Sequence, residues 1–221
     1  MPVSLTVLRS LPIFEALEDA RLAPIAQVAA LRHAPRGGVV LREGDRTDNV
    51  YFVVNGNLKV LVSDEDGREV ILSILGPGEL FGEMGVLDNN PRSATVVATQ
   101  SSDLVTIARS DFQYCLSANF DIALFIMRGL AHRLRVADRK IESLALMDVY
   151  GRVARLLLDS AGEENGQRIV TQKITKQDIA KMIGASREMV SRVMKDLSHQ
   201  GLIEEMEDGR ILLLEPMQHP N

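Results

Sequence analysis

The stretch Phe81-Gly82-Glu83-Met84-Gly85-Val86-Leu87-Asp88-Asn89-Asn90-Pro91-Arg92-Ser93-Ala94 concentrates a distinctive chemistry in a few residues. It places a carboxylate beside a glycine, where a backbone without Cβ lets another molecule approach closely. Nine residues after Glu83 come a guanidinium, a hydroxyl and a small side chain, at Arg92, Ser93 and Ala94. That separation is short enough for Glu83 and Arg92 to belong to one cassette. The chain on either side has strand texture, with β-rich runs at 70–75 and 95–98.

Working outward, further β-rich runs fall at 39–41, 50–54, 58–62 and 104–107. Turn signals separate them: Gly37-Gly38, Glu43-Gly44-Asp45, Asn55-Gly56, Asp66-Gly67 and Gly76-Pro77-Gly78. Asn-Gly between two apolar runs is a hairpin signal, because both turn residues tolerate positive φ. Many short strands at this spacing predict a jelly roll or barrel between about residues 31 and 108. Ahead of it, residues 1–30 read as short helices punctuated by Pro12 and Pro24, with Leu17, Leu22, Ile25 and Val28 spaced for one apolar face.

After the β-rich region, a short helix over 110–116 and a long one from about residue 120 are expected. Within the long helix, Met127, Leu130, Leu134, Ala137, Ile141 and Leu144 are spaced 3, 4, 3, 4, 3. This is an a/d heptad seam, with Arg128, Arg133, Arg135, Arg139 and Lys140 mostly off it. So narrow a stripe suits a partner helix, and a homodimer through a two-stranded coiled coil is expected. Leu146-Met147-Asp148 marks a boundary. Beyond it the pattern predicts a helix over 149–161, a Gly/Glu/Asn loop at 162–167, a strand at 169–171 and helices at 176–183 and 186–199. A hairpin follows, with strands 202–206 and 210–214 about Asp208-Gly209. That order is a winged helix-turn-helix. The fold class is α+β, with an N-terminal β-roll domain over 1–118, a dimerisation helix and hinge over 119–147 and a winged helix-turn-helix over 148–221.

The second helix of that motif carries Ser186-Arg187-Glu188 and, farther along, Arg192. Arginine can pair bidentately with guanine O6 and N7, and glutamate can accept from cytosine N4. Ser186 and Lys195 are suited to phosphates, which position without specifying. Thr175 can cap the first helix and Ser186 the second, while Gly184 supplies the permissive backbone between them. Ile179, Ile183, Val190, Val193 and Leu197 form the apolar face. Thr175, Gln177 and Ser191 complete the expected DNA-facing set.

Composition agrees with a local nucleic-acid surface. The 221 residues carry a net charge of -5, and hydrophobic residues make up 46%. Residues 171–200 hold Lys173, Lys176, Lys181, Arg187, Arg192 and Lys195 against Asp178, Glu188 and Asp196, so this segment is net +3 and the remainder net -8. That places a basic patch on an acidic body. A single cysteine, Cys115, argues against a disulfide framework, an Fe–S cluster or a structural zinc within one chain. The N-terminus has no signal-peptide pattern. No apolar run reaches the roughly 18 residues that span a membrane. A cytoplasmic protein without metal, haem or membrane partner is expected.

Residues 81–94 resemble the phosphate-binding cassette of cyclic-nucleotide-binding domains. With Ser-Arg-Glu-x-x-x-Arg at 186–192, the chain resembles the CRP/FNR family of bacterial transcription regulators over roughly residues 10–215, and most closely its cyclic AMP receptor protein branch. The resemblance implies that Glu83 accepts from a ribose 2′-hydroxyl and Arg92 pairs with a cyclic phosphate. It implies that the Gly82 backbone and the Ser93 amide and hydroxyl complete the cradle, with Met84 as a further member. Arg133 matches a family arginine near the nucleotide. It further implies a dimer on palindromic double-stranded DNA, with RNA polymerase as a partner. One departure concerns the base: the family branch has two adjacent hydroxyl residues where this chain has Ala137 and Asp138. Alanine makes no such hydrogen bond, and an ionised Asp138 only accepts. Asp138 could take the adenine amino group or the N1–H and N2–H of guanine, so cyclic AMP is expected and cyclic di-GMP or cyclic GMP stays open. Two rivals remain, a cyclic-nucleotide hydrolase and a constitutive DNA binder. Four scattered histidines without a metal-binding grouping speak against the hydrolase.

Overall fold

The computed structural model describes residues 3–170 and 172–214. The chain separates into two compact units, Met1–His132 and Arg133–Asn221. In the first, helices α1 (Leu5–Arg9) and α2 (Asp19–Val28) precede strands β1 (Ala30–Ala34), β2 (Val39–Leu41), β3 (Asn49–Asn55), β4 (Leu58–Ser63), β5 (Glu69–Leu75) and β6 (Leu80–Phe81). A short helix α3 (Met84–Asp88) leads to β7 (Thr95–Ala98), β8 (Ser102–Ala108) and helix α4 (Arg109–Ala118). Helix α5 (Phe120–Leu146) follows, and the division between the units falls within it.

The strands form two antiparallel four-stranded sheets, in the orders β1-β8-β3-β6 and β2-β7-β4-β5. Both inner faces contribute to one apolar cluster that includes Leu41, Tyr51, Val53, Leu58, Phe81, Val96 and Leu104. The outer face of β3 and β8 is covered by helices instead. There Val50, Phe52, Val105 and Ile107 pack with Phe14, Leu22, Phe112 and Ile122. Strand β3 is therefore buried on both sides, which explains an unbroken apolar run where a half-exposed strand would alternate. Phe52 anchors the helical layer, with ring centroids 5.3 Å from Phe14 and 6.5 Å from Phe112. Each large side chain so buried contributes about 1.5–3 kcal/mol.

Several expectations are corrected. Asn55-Gly56 does not close a hairpin, because β3 pairs with β8 and β6 whereas β4 pairs with β5 and β7. The turn carries the chain from one sheet to the other. Gly56 sits at φ 96°, where an added Cβ would lie 2.7 Å from Ser102 Cα, so close passage past β8 sets the residue. Asp66-Gly67 does close a hairpin, between β4 and β5. At the N-terminus, Leu17 precedes α2 and Val28 is exposed, so the four-residue apolar face reduces to Leu22 and Ile25 with Ala26. Pro24 lies inside α2, where it removes one backbone donor without ending the helix. Strands β1 and β6 had no pattern to reveal them. The first four residues of β1 are exposed, and β6 has two residues.

In the second unit, Asp148 caps helix α6 (Val149–Ser160) by accepting from Gly151 N at 2.8 Å. Strands β9 (Ala161–Glu164) and β10 (Gln167–Val170) follow, then helices α7 (Lys176–Ile183) and α8 (Arg187–His199) and strands β11 (Ile203–Glu205) and β12 (Ile211–Leu213). Residues 162–167 are thus a hairpin and not a loop. Asn165 and Gly166, at φ 53° and 76°, make its turn. The signal was legible, but the strands beside it are polar and do not alternate. Thr171, expected at the end of a strand, lies outside the described residues, as does 215–221. The four strands form one antiparallel sheet in the order β11-β12-β10-β9. Val153, Leu157, Ile179, Ile183, Val190, Val193 and Leu197 share a core with Ile203, Ile211 and Leu213.

Candidate functional site

Glu83 and Arg92 are two of the few buried charged side chains among the described residues, at 2% and 6% exposure. Ionised groups seldom leave water without dedicated partners. Arg92 is held from both directions. Its backbone N donates to Asp45 O and its O accepts from Gly44 N, each at 2.9 Å, pinning it to the β2–β3 loop. Its Nη1 donates to Gly82 O and its Nη2 to Asn49 O, each at 2.6 Å. Its Nε is buried and has no hydrogen-bond partner. A guanidinium offers five donors, and two are spent on carbonyls that fix its plane. The rest of the fork is what an anion would use.

Burial pushes the Arg92 guanidinium below its ordinary value, while Tyr51, Asp48, Glu83 and Asp45 push it back up. Arginine stays charged in proteins, so the direction records the cost of holding a cation out of water. Gly82 turns at φ 76°, and a Cβ there would lie 2.7 Å from Arg92 Nη1 and 3.3 Å from Leu41 Cδ1. At Gly85 a Cβ would lie 2.3 Å from Thr47 Oγ1 and 2.4 Å from Asn90 O, two atoms already joined by a 3.0 Å hydrogen bond. The cassette is therefore drawn tight at both glycines, around a buried cation. Met84 and Ser93 lie at its surface, both exposed. Arg133, Ala137 and Asp138 are exposed on α5. Sequence reading assigned no role to Thr47, Asn49 or Tyr51. Asn49 acts through its carbonyl, which no side-chain pattern can betray.

The second set of expected residues lies on α7 and α8. Thr175 Oγ1 accepts from Asp178 N at 3.1 Å and donates to Asp178 Oδ2 at 2.7 Å. Ser186 Oγ accepts from Met189 N at 3.2 Å, and Gly184 ends α7 at φ 65°. These caps set the angle between the two helices. Gln177, Ser186, Arg187, Glu188, Arg192 and Lys195 are exposed and Ser191 is half-buried, while Val190, Val193, Met194 and Leu197 hold α8 to the core. The Glu188 carboxylate is held below the usual range by its own backbone N–H and then by the Ser186 hydroxyl. It is an acceptor at neutral pH. Met189, 45% exposed on the same helix, carries no role that the sequence suggested.

His33 bonds Asp103 at 2.8 Å and Ser101 at 3.3 Å across β1 and β8, at the surface. Among the described residues no three His, Cys, Asp or Glu side chains gather as metal ligands. No single described helix is long and apolar enough to cross a membrane; α4 and α5 pass only when taken together, across a 109° bend.

Comparison with known proteins agrees with this division of labour. Residues 31–119 match the cyclic nucleotide-binding domain, and residues 151–218 match the Crp-like helix-turn-helix domain. The chain belongs to the CRP/FNR family of transcription regulators, with a cyclic nucleotide-binding domain followed by a DNA-binding helix-turn-helix. It is 33% identical over 195 residues to the CRP-like cAMP-activated global transcriptional regulator of Mycobacterium tuberculosis, covering 86% of this chain and 87% of that one. It is 37% identical over 174 residues to the cAMP-activated global transcriptional regulator Vfr of Pseudomonas aeruginosa, covering 74% and 80%. Among solved structures, the c-di-GMP responsive global regulator CLP of Xanthomonas campestris aligns with a TM-score of 0.73 at 27% identity, over 90% of this chain and 100% of that one.

Proposed function

We propose that this protein is a homodimeric, cytoplasmic transcription regulator whose binding to palindromic promoter DNA is switched by cyclic AMP. The observation that carries the reading is Arg92: a buried guanidinium whose plane is fixed by two carbonyls and whose Nε has no partner. Relatives at 33% and 37% identity are named cAMP-activated. In this reading Arg92 pairs with the cyclic phosphate, Glu83 accepts from the ribose 2′-hydroxyl, and Gly82, Met84 and Ser93 finish the cradle. Arg133 matches the family arginine near the nucleotide, while Ala137 and Asp138 stand where the family branch has its base-contacting hydroxyls, with Asp138 as the acceptor for the base. The roll over 1–118 and the winged helix-turn-helix over 148–221 then communicate through 119–147. Ligand acts only through its higher affinity for the DNA-competent state. Thr175, Gln177, Ser186, Arg187, Glu188, Ser191, Arg192 and Lys195 form the DNA face, and RNA polymerase is the onward partner.

A guanine ligand is the second reading. Asp138 favours it as an acceptor for N1–H and N2–H, and the Xanthomonas campestris neighbour is titled c-di-GMP responsive. Fluorescence anisotropy on a palindromic site at fixed salt separates the possibilities. A large gain in DNA affinity with cyclic AMP is expected. A larger gain with cyclic di-GMP transfers the effector role to the guanine ligand, and DNA binding that ignores both leaves a constitutive factor.

A further inference from the structure

Arg92 does not rest on carbonyls alone. The two-residue strand β6 pairs with β3 in the register Tyr51↔Phe81, and this places the two rings in a stack with centroids 5.2 Å apart and planes 17° apart. The Arg92 guanidinium carbon lies 5.9 Å from the Tyr51 ring centroid, within the range where a ring quadrupole attracts a cation. Tyr51 is 5% exposed, so that attraction is not diluted by water. The ring is itself held in place. Phe81 backs it, the Tyr51 hydroxyl accepts from Arg32 Nη1 at 3.2 Å, and the Arg32 guanidinium carbon lies 5.6 Å from the ring centroid. The carbonyl that takes Arg92 Nη2 comes from Asn49, two residues before Tyr51 on the same strand. The carbonyl that takes Nη1 comes from Gly82, the residue after Phe81. One strand pairing therefore supplies both carbonyls and the aromatic pair beside the cation.

We infer that Tyr51 is a positioning residue for the phosphate site: its ring, clamped between Phe81 and Arg32, holds the Arg92 guanidinium in the plane set by its two carbonyl partners, the orientation in which its remaining donors would meet an anion. The inference rests on the reading of Arg92 as the phosphate ligand. It assigns the ring face, and not the hydroxyl, to the work on Arg92. Arg32 seats the ring both through the hydroxyl and from over the ring, so draining the ring face loosens this seat together with the hold on Arg92.

Fluorination of the ring separates this role from packing. Successive fluorines on phenylalanine drain the negative face at nearly constant shape, so the fold is kept while the attraction fades. The full-length protein is titrated with cyclic AMP by calorimetry, as wild type, as Tyr51→Phe and with tri- and tetrafluorophenylalanine at position 51. Tyr51→Phe keeps most of the wild-type affinity, and affinity then falls stepwise by about tenfold in total across the fluorinated series. The side-chain Nε–H resonance of Arg92 is followed by NMR in the unliganded protein through the same series. It is sharp in wild type and Tyr51→Phe and broadens with fluorination. A flat series in both readouts overturns the role of Tyr51 and leaves the nucleotide reading standing. If wild type binds no cyclic nucleotide, the functional reading falls, and the Arg92 resonance alone decides whether Tyr51 orders that side chain.

Discussion

At the scale of single residues, the cassette is governed by what has no side chain. Glu83 and Arg92 stand out in the sequence because their chemistry is visible. The reason for Gly85 is invisible there, since it depends on Thr47 and Asn90, which meet it only in the fold. A Cβ at Gly85 would lie 2.3 Å from Thr47 Oγ1, and neither that buried hydroxyl nor the Asn90 carbonyl can withdraw without losing their mutual hydrogen bond. Gly85→Ala should cost about 1–3 kcal/mol by overpacking. Thermal denaturation checks this against Gly129→Ala, where nothing lies within 4 Å and the helix interior should gain about 0.5–1 kcal/mol. Equal melting temperatures for the two variants would mean that the loop relaxes freely. Tyr51 was equally hidden. Its run reads simply as an apolar strand, and its nearness to Arg92 follows from the pairing of β3 with a strand too short to recognise.

Among the elements, α5 is the one whose surface most needs a partner. Its first turns are anchored through Ile122 and Ile126, and Leu130 packs partly against the same core. Along the rest of the seam, Met127, Leu134, Ile141 and Leu144 are 50%, 64%, 65% and 55% exposed. Apolar side chains repeating at heptad spacing and open to water match one strand of a two-stranded coiled coil. Leu134→Lys places a charge at the centre of that seam and should yield monomers by analytical ultracentrifugation. A dimer of unchanged stability in Leu134→Lys would mean that the subunits meet elsewhere. The caps of the helix-turn-helix were legible because a cap is a local event: Thr175 and Ser186 each accept from a backbone N–H three residues on, as does Asp148, which the sequence marked only as a boundary. Strand partners were the least legible. Asn55-Gly56 reads as a hairpin locally, yet the two strands it joins bury their apolar faces best in different sheets.

For the whole molecule, the proposed DNA specificity rests on α8. Arg187 and Arg192 are exposed on a helix held to its core by Val190, Val193, Met194 and Leu197. If Arg187 reads a guanine, Arg187→Ala should cost about 1–3 kcal/mol on the preferred palindrome and relax preference at one base pair of each half-site. Competition binding with single-base variants tests this, and an equal loss on every variant would demote Arg187 to a phosphate contact. The amino-acid sequence by itself determined the order of domains, most strands, every long helix, the caps of the helix-turn-helix and the charged pair of the cassette. All of these are set by local propensity, periodicity and short-range hydrogen bonding, which act over a few residues. Only the tertiary structure decided which strands share a sheet, and that Asn49, Gly82 and Tyr51, the last backed by Phe81, converge on one buried guanidinium. Those outcomes depend on burial shared between segments dozens of residues apart, and no local pattern records it.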